Sequence, residues 1–334
     1  MKTQNSLGAA LMSFFSDYQP RQCNASSNTI LAYRDSMKQL LCHVATSKRC
    51  SVAELNLSDL EHQRILLFLE AVETKNGNSI STRNHRLAAI RSFFRYVAQI
   101  SPETVAQAAQ ILTIPTKKTV SKSVDYLTKG ELAEILRQVH LETEAGRRDD
   151  VLLRFLHNTG ARVQEVVDLK ASDLRLDSAP SVRILGKGQK ERYCPLWQDT
   201  AKRLRELLSE RQLPLDSSEF VFMNSRGGKL TRFGVSHIIG KYVGLAEKNC
   251  PSLSRKNVHP HTFRHTTALH LLQSGVDLNT IRCWLGHSDV STTNRYVELD
   301  LEMKRKALSS VAAPGGHGRR LAMNDSLLAW LDNI

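Results

Sequence analysis

The sequence predicts a mainly α-helical protein of two domains, with a small β-hairpin in the second domain. Its length of 334 residues suffices for about two domains, each with its own hydrophobic core. The apolar spacing of roughly the first 100 residues is typical of helices, and a basic, proline-containing segment at 112–126 follows them. We therefore expect a helical domain at 1–110, a linker at 111–126, a second domain at 127–310 and a tail at 311–334.

Three helices are predicted in the first domain from the spacing of their apolar residues. The first follows Asn28-Thr29, the second runs through Ile65–Val72, and the third covers Ser81–Ile100. The third helix carries four arginines and no acidic residue: Arg83, Arg86, Arg91 and Arg95. A solvated basic face would explain this pattern, but the net charge of +13 favours contact with DNA.

The second domain is predicted to be mixed. Ser181–Leu185 and Glu191–Leu196 alternate as strands do, and two glycines in the loop 186–190 are typical of a hairpin. Thr128, with Glu131 three residues later, predicts a capping box at the start of the first helix. Helices are predicted at 129–140, 147–158, 163–170, 200–212, 231–247, 261–274, 277–285 and 291–298.

The composition argues against membrane and secreted proteins. No apolar run approaches the roughly 18 residues of a membrane span, and the first residues lack the apolar core of a signal peptide. The six cysteines form no CxxC pair, so neither a zinc ribbon nor a thioredoxin-type motif is present. We expect a cytoplasmic protein with reduced thiols.

The sequence also lacks the motifs of nucleotide and metal chemistry. It contains no GxxxxGK[ST] loop for phosphates and no compelling carboxylate cluster for a two-metal nuclease. His261 and His265 have a spacing that zinc can use, but Arg264 between them would repel a cation. We therefore expect no nucleotide, metal or other cofactor.

Five short motifs of the second domain carry cationic or nucleophilic side chains. Taken singly, each has an ordinary explanation, because a lone arginine or histidine usually forms a salt bridge or a cap and a lone tyrosine usually packs. In chain order the motifs are TGAR ending at Arg162, GKGQKER containing Lys187, HPHTFRH containing His261 and Arg264, WLGH ending at His287, and TTNRY ending at Tyr296.

This order of motifs resembles the tyrosine recombinases, the family of phage integrases and bacterial chromosome-dimer-resolving recombinases. The resemblance covers residues 126–300 in detail and the N-terminal helical domain by type. The family usually reads TGLR where this chain has TGAR, and commonly HxLRH where it has HTFRH. The resemblance assigns the six catalytic positions of the family to Arg162, Lys187, His261, Arg264, His287 and Tyr296.

The resemblance implies that three of these residues bind the scissile phosphate. The transition state of phosphodiester cleavage carries extra negative charge on its non-bridging oxygens, and a planar guanidinium can bind two oxygens at once. Arg162 and Arg264 would therefore hold the phosphate, and His287 would add a further hydrogen bond.

The other three residues would attack the phosphate and move protons. A tyrosine with a pKa near 10 is a poor nucleophile at pH 7, so Tyr296 would need His261 to accept its proton. Lys187 would protonate the leaving 5′-oxygen. The 3′-phosphotyrosyl bond keeps the energy of the broken ester, so that neither ATP nor a metal is required.

The resemblance thus implies a site-specific DNA recombinase whose two domains clamp duplex DNA, in integration, excision, transposition or dimer resolution. Recombination needs four strand cuts, which implies a tetramer on two DNA sites, alone or with a partner recombinase. Two alternatives stay open: a type IB topoisomerase, and a DNA-binding protein of the same fold that has lost the chemistry. The intact set of six residues argues against the second alternative.

Three charged residues near the motifs have expected roles of their own. Glu165 is one turn beyond the TGAR motif and is expected either to brace an arginine or to form an ordinary surface ion pair. Lys190 and Arg192 lie close to the hairpin lysine and are expected to contact phosphate.

The tail is predicted to contain a glycine hinge at 314–318, followed by a short apolar helix at Leu327–Ile334. This helix either packs on its own domain or docks on a neighbouring subunit.

Overall fold

The computed structural model describes residues 6–74, 77–119, 124–186 and 190–286. The chain forms two compact units, Met1–Lys122 and Ser123–Ile334. Both are mainly helical, and the second contains a small antiparallel sheet. The predicted fold class is confirmed. None of the described helices is both long and apolar enough to cross a membrane.

The first unit consists of helices packed around one apolar core. Its elements are α1 (Ser6–Ser13), a π-helical segment (Phe14–Gln22), α2 (Ser27–Lys48), α3 (His62–Thr74), α4 (Ile80–Ile100) and α5 (Val105–Leu112). Serines cap both long helices, since Ser26 accepts a hydrogen bond from the N–H of Thr29 and Ser79 from that of Thr82. The three predicted helices are confirmed as α2, α3 and α4. The sequence did not predict α1, α5 or the π-helical segment, which are each only eight or nine residues long.

The arginines of α4 do not form one exposed basic face, and the contact of this helix with DNA stays a prediction. Arg83 is only 4% exposed, and its Nη1 donates to the carbonyl of Pro115 at 2.8 Å. Arg86 donates to a serine of α2, and Arg91 donates to a backbone carbonyl that follows α5. Arg95 is the exposed one of the four. Three guanidiniums are therefore used in the packing of the unit itself.

The segment predicted as a linker is packed at both of its ends. On the N-terminal side, Ile114 is fully buried in the first core and Lys117 Nζ contacts Glu73 Oε1 at 2.7 Å. On the C-terminal side, Asp125 and Tyr126 belong to the second unit and bond with its residues. The described packing of the first unit thus extends beyond the expected boundary at residue 110.

The second unit holds seven α-helices and three strands within its described residues. The helices are α6 (Lys129–Arg137), α7 (Glu144–Thr159), α8 (Val163–Val167), α9 (Gln198–Glu210), α10 (Arg232–Ala246), α11 (Pro260–Gln273) and α12 (Leu278–Leu285). The strands are β1 (Leu174–Arg175), β2 (Ser181–Leu185) and β3 (Glu191–Pro195).

These elements confirm the predicted hairpin and the helices that fall on described residues. Strands β2 and β3 are antiparallel, with Val182 opposite Cys194. Thr128 and Glu131 form the expected capping box. The two-residue strand β1 pairs with β2 and was not predicted, because two residues are too few to show alternation. The predicted helix at 291–298 and the tail lie outside the described residues.

The core of the second unit brings two helix ends together. α7 is buried on most of its surface and packs against α9 and α11, while α11 also packs against α12. Leu285, at the end of α12, is fully buried. The loop after α7 therefore lies next to the end of α12, and both carry residues of the predicted site.

We expect Arg83→Met to destabilise the first unit by about 2 kcal/mol, because it removes the hydrogen bond from the buried guanidinium to the carbonyl of Pro115, which ties the segment after α5 to α4. Arg95→Met is the matched control and should change stability by less than about 0.5 kcal/mol. Hydrogen exchange of peptides from α4 measures this opening free energy, and 2 kcal/mol corresponds to roughly thirty-fold faster exchange. Equal exchange in both variants would contradict a structural role for Arg83.

Candidate active site

The first arginine of the site lies in a tight turn after α7. The N–H of Gly160 bonds with the carbonyl of Leu156 at 2.9 Å, and Gly160 has a left-handed φ of +57°. A Cβ at Gly160 would lie 2.4 Å from Cδ2 of Leu285. Glycine thus permits both the turn and the close approach of α12, and the turn places Arg162 immediately before α8.

The second arginine and the first histidine come from the start of α11. Pro260 occupies the first helical position, and Nδ1 of His259 accepts a hydrogen bond from the N–H of Thr262 at 3.3 Å. This cap places His261 in the first turn. Arg264 follows one turn later on the same side of the helix.

Arg264 connects the ends of two helices. It is 4% exposed, and its Nη1 donates to the carbonyl of Gly160 at 2.7 Å. Its Nη2 donates to the carbonyl of Leu285 at 2.6 Å. Carbonyls at helix C-termini lack partners within the helix and carry partial negative charge, so a guanidinium is favourable there. The two hydrogen bonds fix the orientation of Arg264.

Arg162 is held beside the same chain segment. Its Nη2 donates to the carbonyl of Gly286 at 3.3 Å, one residue beyond the carbonyl that Arg264 binds. Its Nη1 donates to Glu165 Oε1 at 3.0 Å, and its N–H donates to Oε2 at 2.8 Å. The side chain is 35% exposed. Arg162 is therefore fixed on one side and accessible on the other.

Glu165 bridges two arginines, which confirms the predicted brace. Nη1 and Nη2 of Arg192 donate to Oε1 and Oε2 of Glu165 at 3.1 and 2.7 Å, opposite Arg162. Burial raises the pKa of Glu165, but the hydrogen bonds and charge of Arg192, followed by those of Arg162, outweigh it and hold that pKa below its usual value. Glu165 is therefore a carboxylate at neutral pH.

Arg192, which is expected to contact phosphate, is bonded inside the protein, and its phosphate contact stays a prediction. Its side chain is 10% exposed, and its Nε donates to the carbonyl of Trp284 at 3.0 Å. All three guanidinium nitrogens thus have partners inside the protein. Lys190 is exposed, and its phosphate contact stays a prediction.

Three successive carbonyls at the end of α12 thus each accept a hydrogen bond from a different arginine. Arg192 binds the carbonyl of Trp284, Arg264 that of Leu285 and Arg162 that of Gly286. Gly286 has a left-handed φ of +65° and caps the helix. The next residue in the chain is His287, so this arrangement fixes the point at which the chain leaves α12.

His261 is exposed and lies near both arginines of the site. Partial desolvation, followed by the charges of His259, Arg264 and Arg162, lowers the pKa of His261 below its ordinary value. The imidazole is therefore neutral at pH 7 and able to accept a proton.

The structure brings together three of the six predicted residues, namely Arg162, His261 and Arg264. Lys187, His287 and Tyr296 lie outside the described residues.

The structure does describe the residues next to Lys187 and His287 in the sequence. The N–H of Gly186 donates to the carbonyl of Lys190 at 2.8 Å, which closes the ends of the hairpin. A Cβ at Gly186 would lie 3.4 Å from Oε1 of Glu165. The residue before Lys187 therefore lies against Glu165, just as the residue before His287 lies against Arg162.

Asn158 is a structural residue of the site that the sequence did not predict. Its Nδ2 donates to the carbonyl of Pro195 at 3.1 Å, and its Oδ1 accepts from the N–H of Trp197 at 2.8 Å. Its own carbonyl accepts from Nε1 of Trp284 at 3.1 Å. Asn158 thus connects α7, β3 and α12. The sequence gives one indication of this role, which is that a polar residue stands at the end of an apolar helical pattern.

Two family models match the chain. The model described as "Phage integrase family" matches residues 125–303, and "Phage integrase, N-terminal SAM-like domain" matches residues 13–99. The first match covers all five motifs of the second unit, from TGAR to TTNRY.

Individual relatives extend over the whole chain. The chain is 38% identical to a putative integrase/recombinase, y4rC, of Sinorhizobium fredii over 334 residues, which is 100% of both chains. It is 33% identical to the tyrosine recombinase XerC of Bacillus licheniformis, over 90% of this chain and 95% of that one. The fold is similar to the XerH site-specific recombinase in a pre-cleavage complex with its difH substrate, with a TM-score of 0.66, 21% identity and coverage of 92% and 90%.

We expect Gly160→Ala to lower the free energy of unfolding of the second unit by about 3 kcal/mol. The left-handed backbone costs about 1 kcal/mol with a side chain, and the new Cβ must displace the buried Leu285. Gly275→Ala is the matched control, since Gly275 has a φ of +84° but no atom near the position of a Cβ.

Urea unfolding followed by tryptophan fluorescence measures this difference, because Trp197 and Trp284 both lie in the second unit. Equal losses in the two variants would show that the approach of α12 to Gly160 does not constrain the fold.

Proposed function

Because the chain belongs to the phage integrase family and is a site-specific tyrosine recombinase, we propose that its six matching residues cut and rejoin DNA strands. These residues are Arg162, Lys187, His261, Arg264, His287 and Tyr296. The observation that carries the proposal is the pair of guanidiniums, Arg162 and Arg264, bound to adjacent carbonyls of one turn with a neutral histidine beside them.

The two arginines provide a preorganised site for a phosphate. Arg264 is held by hydrogen bonds to two helix ends, so it loses little freedom when it contacts a ligand. Arg162 is accessible from solvent and adds a second guanidinium. His287 directly follows the carbonyl that Arg162 binds, which favours a third contact to the same oxygens.

The chemistry needs one nucleophile and two proton transfers. The phenol oxygen of Tyr296 attacks phosphorus, the phenol proton passes to His261, and the bond from phosphorus to the 5′-oxygen breaks. Lys187 protonates that 5′-oxygen as it leaves. Rejoining runs the same steps in reverse, with the 5′-hydroxyl of the other strand as the nucleophile. The ester bond is conserved throughout, so the scheme requires no nucleotide or metal.

The partner is duplex DNA that carries specific recombination sites, which agrees with the similarity to XerH, a site-specific recombinase bound to its difH substrate. We infer that both units of the chain contact this DNA, that four copies act on two sites, and that the reaction takes place in the cytoplasm. The apolar segment Leu327–Ile334, which the sequence predicts to be a helix, is our candidate for the link between subunits. The relatives are integrases and recombinases, which favours recombination over relaxation of supercoils or silent binding.

We expect wild-type protein, incubated with sheared DNA of its host and quenched with SDS, to remain covalently attached to one recurring DNA sequence through a phenol step. Tyr296→Phe should abolish this attachment and leave DNA binding unchanged, because phenylalanine lacks the attacking oxygen. Sequencing of the trapped DNA is the measurement. Attachment to many unrelated sequences would indicate a topoisomerase, and equal attachment by the variant would refute the assignment of Tyr296.

We expect the cleavage rate to fall as the pH drops through the pKa of His261, which lies below the ordinary histidine value of about 6.5. The neutral imidazole accepts the proton, so the protein is active above this pKa and inactive below it. His261→Gln should lower the rate about 10²-fold or more and remove this acid limb. The measurement is single-turnover cleavage from pH 5 to 8, and an unchanged limb in the variant would assign it to another group.

A further inference from the structure

We propose that Arg192 is a positioning residue of the active site, which neutralises Glu165 and holds the end of α12 so that Arg162 and Gly286 are placed for strand cleavage. The inference rests on the proposed roles of Arg162 and His287. It concerns a residue whose guanidinium nitrogens all have partners within the protein, on α8 and α12.

The position of Arg192 connects three parts of the site. It lies on β3, five residues after Lys187, and is thus part of the hairpin that carries the proposed acid. Two of its nitrogens bind Glu165 on α8, and the third binds the carbonyl of Trp284 on α12. One side chain therefore links the hairpin, the helix after Arg162 and the helix before His287.

The charges explain why Arg192 matters to Arg162. The Glu165 side chain is 5% exposed and is shared by Arg162 and Arg192, so the three groups carry a net charge of +1. Without Arg192, the buried carboxylate would have Arg162 as its remaining bonded cation, and a buried charge with too few partners is costly. Glu165 would then draw Arg162 inward. The remaining pair of Arg162 and Glu165 would carry no net charge and would no longer attract a phosphate.

Contacts with α12 add a steric role. The backbone of Gly286 lies directly on the Arg192 side chain, because a Cβ at Gly286 would be 3.1 Å from Cδ and 3.2 Å from Nη1 of Arg192. Together with the hydrogen bond to Trp284, this contact fixes the position of Gly286, the residue before His287 in the sequence. A lysine could replace the charge of Arg192 but not its simultaneous bonds to Glu165 and Trp284.

The same unit offers a matched control. Asp150 is a buried carboxylate that is also shared by two arginines, with Arg154 Nε at 3.0 Å and Arg203 Nη1 at 2.9 Å. This triad contains none of the six proposed catalytic residues. Arg203→Met therefore removes one of two cations from a buried carboxylate, as Arg192→Met does, but away from the site.

The experiment measures the rate of covalent attachment to the DNA sequence that wild-type protein traps from sheared host DNA, with thermal unfolding and DNA affinity measured for each full-length variant. We expect Arg192→Met to slow attachment about 10²-fold and Arg192→Lys about ten-fold, with DNA affinity within about three-fold of wild type. Arg203→Met should lower the unfolding temperature similarly and attach at the wild-type rate.

Combining Arg192→Met with Glu165→Gln distinguishes a loss of positioning of Arg162 from a general loss of stability. Once the carboxylate is neutral, Arg162 is no longer drawn inward, so Arg192→Met with Glu165→Gln should attach at least about ten-fold faster than Arg192→Met alone. If Arg192→Met does not fold, Arg192→Lys with and without Glu165→Gln gives the same comparison.

Several results would overturn the inference: wild-type attachment by a folded Arg192→Met variant, additive losses in the double variant, or an equal loss in Arg203→Met. Wild-type protein that binds host DNA without any covalent attachment would instead overturn the proposed function itself.

Discussion

The arrangement of the second unit around the proposed site depends on the carbonyl groups at the end of α12, which have no hydrogen-bond donors within the helix. Three arginines from three different elements supply those donors, and each binds one of three successive carbonyls. Arginine suits this role because its planar group can bind two partners at fixed angles. Arg264 binds α7 and α12 at once, and Arg162 binds α12 and Glu165. The helix end and the cations therefore fix each other, which places two guanidiniums side by side before any DNA arrives.

Clustered cations are costly to hold together, and a buried carboxylate offsets that cost here. Glu165 lies between Arg162 and Arg192 and stays ionised despite its burial. The same arrangement recurs at Asp150, between Arg154 and Arg203, away from the six proposed catalytic residues. At the proposed active site the arrangement leaves Arg162 partly open to solvent, with its orientation already set by its hydrogen bonds.

The sequence predicted what depends on local patterns and missed what depends on distant contacts. Apolar periodicity predicted helix α4. The order of the motifs predicted that Arg162, His261 and Arg264 belong to one site, and the structure brings these three residues together. The same periodicity could not reveal that Arg83 is buried, because its carbonyl partner at Pro115 lies 32 residues away in a segment without a regular pattern. The bonds of Arg192 inside the protein could not be predicted for a similar reason, since the carbonyl that it binds lies 92 residues further along the chain.

The most direct test is a crystal structure of the Tyr296→Phe variant with the DNA sequence that wild-type protein traps. The account predicts one phosphate within about 3 Å of both Arg162 and Arg264, with their hydrogen bonds to the carbonyls of Gly286 and Leu285 retained. A phosphate bound elsewhere, or an end of α12 that has left these arginines, would contradict it.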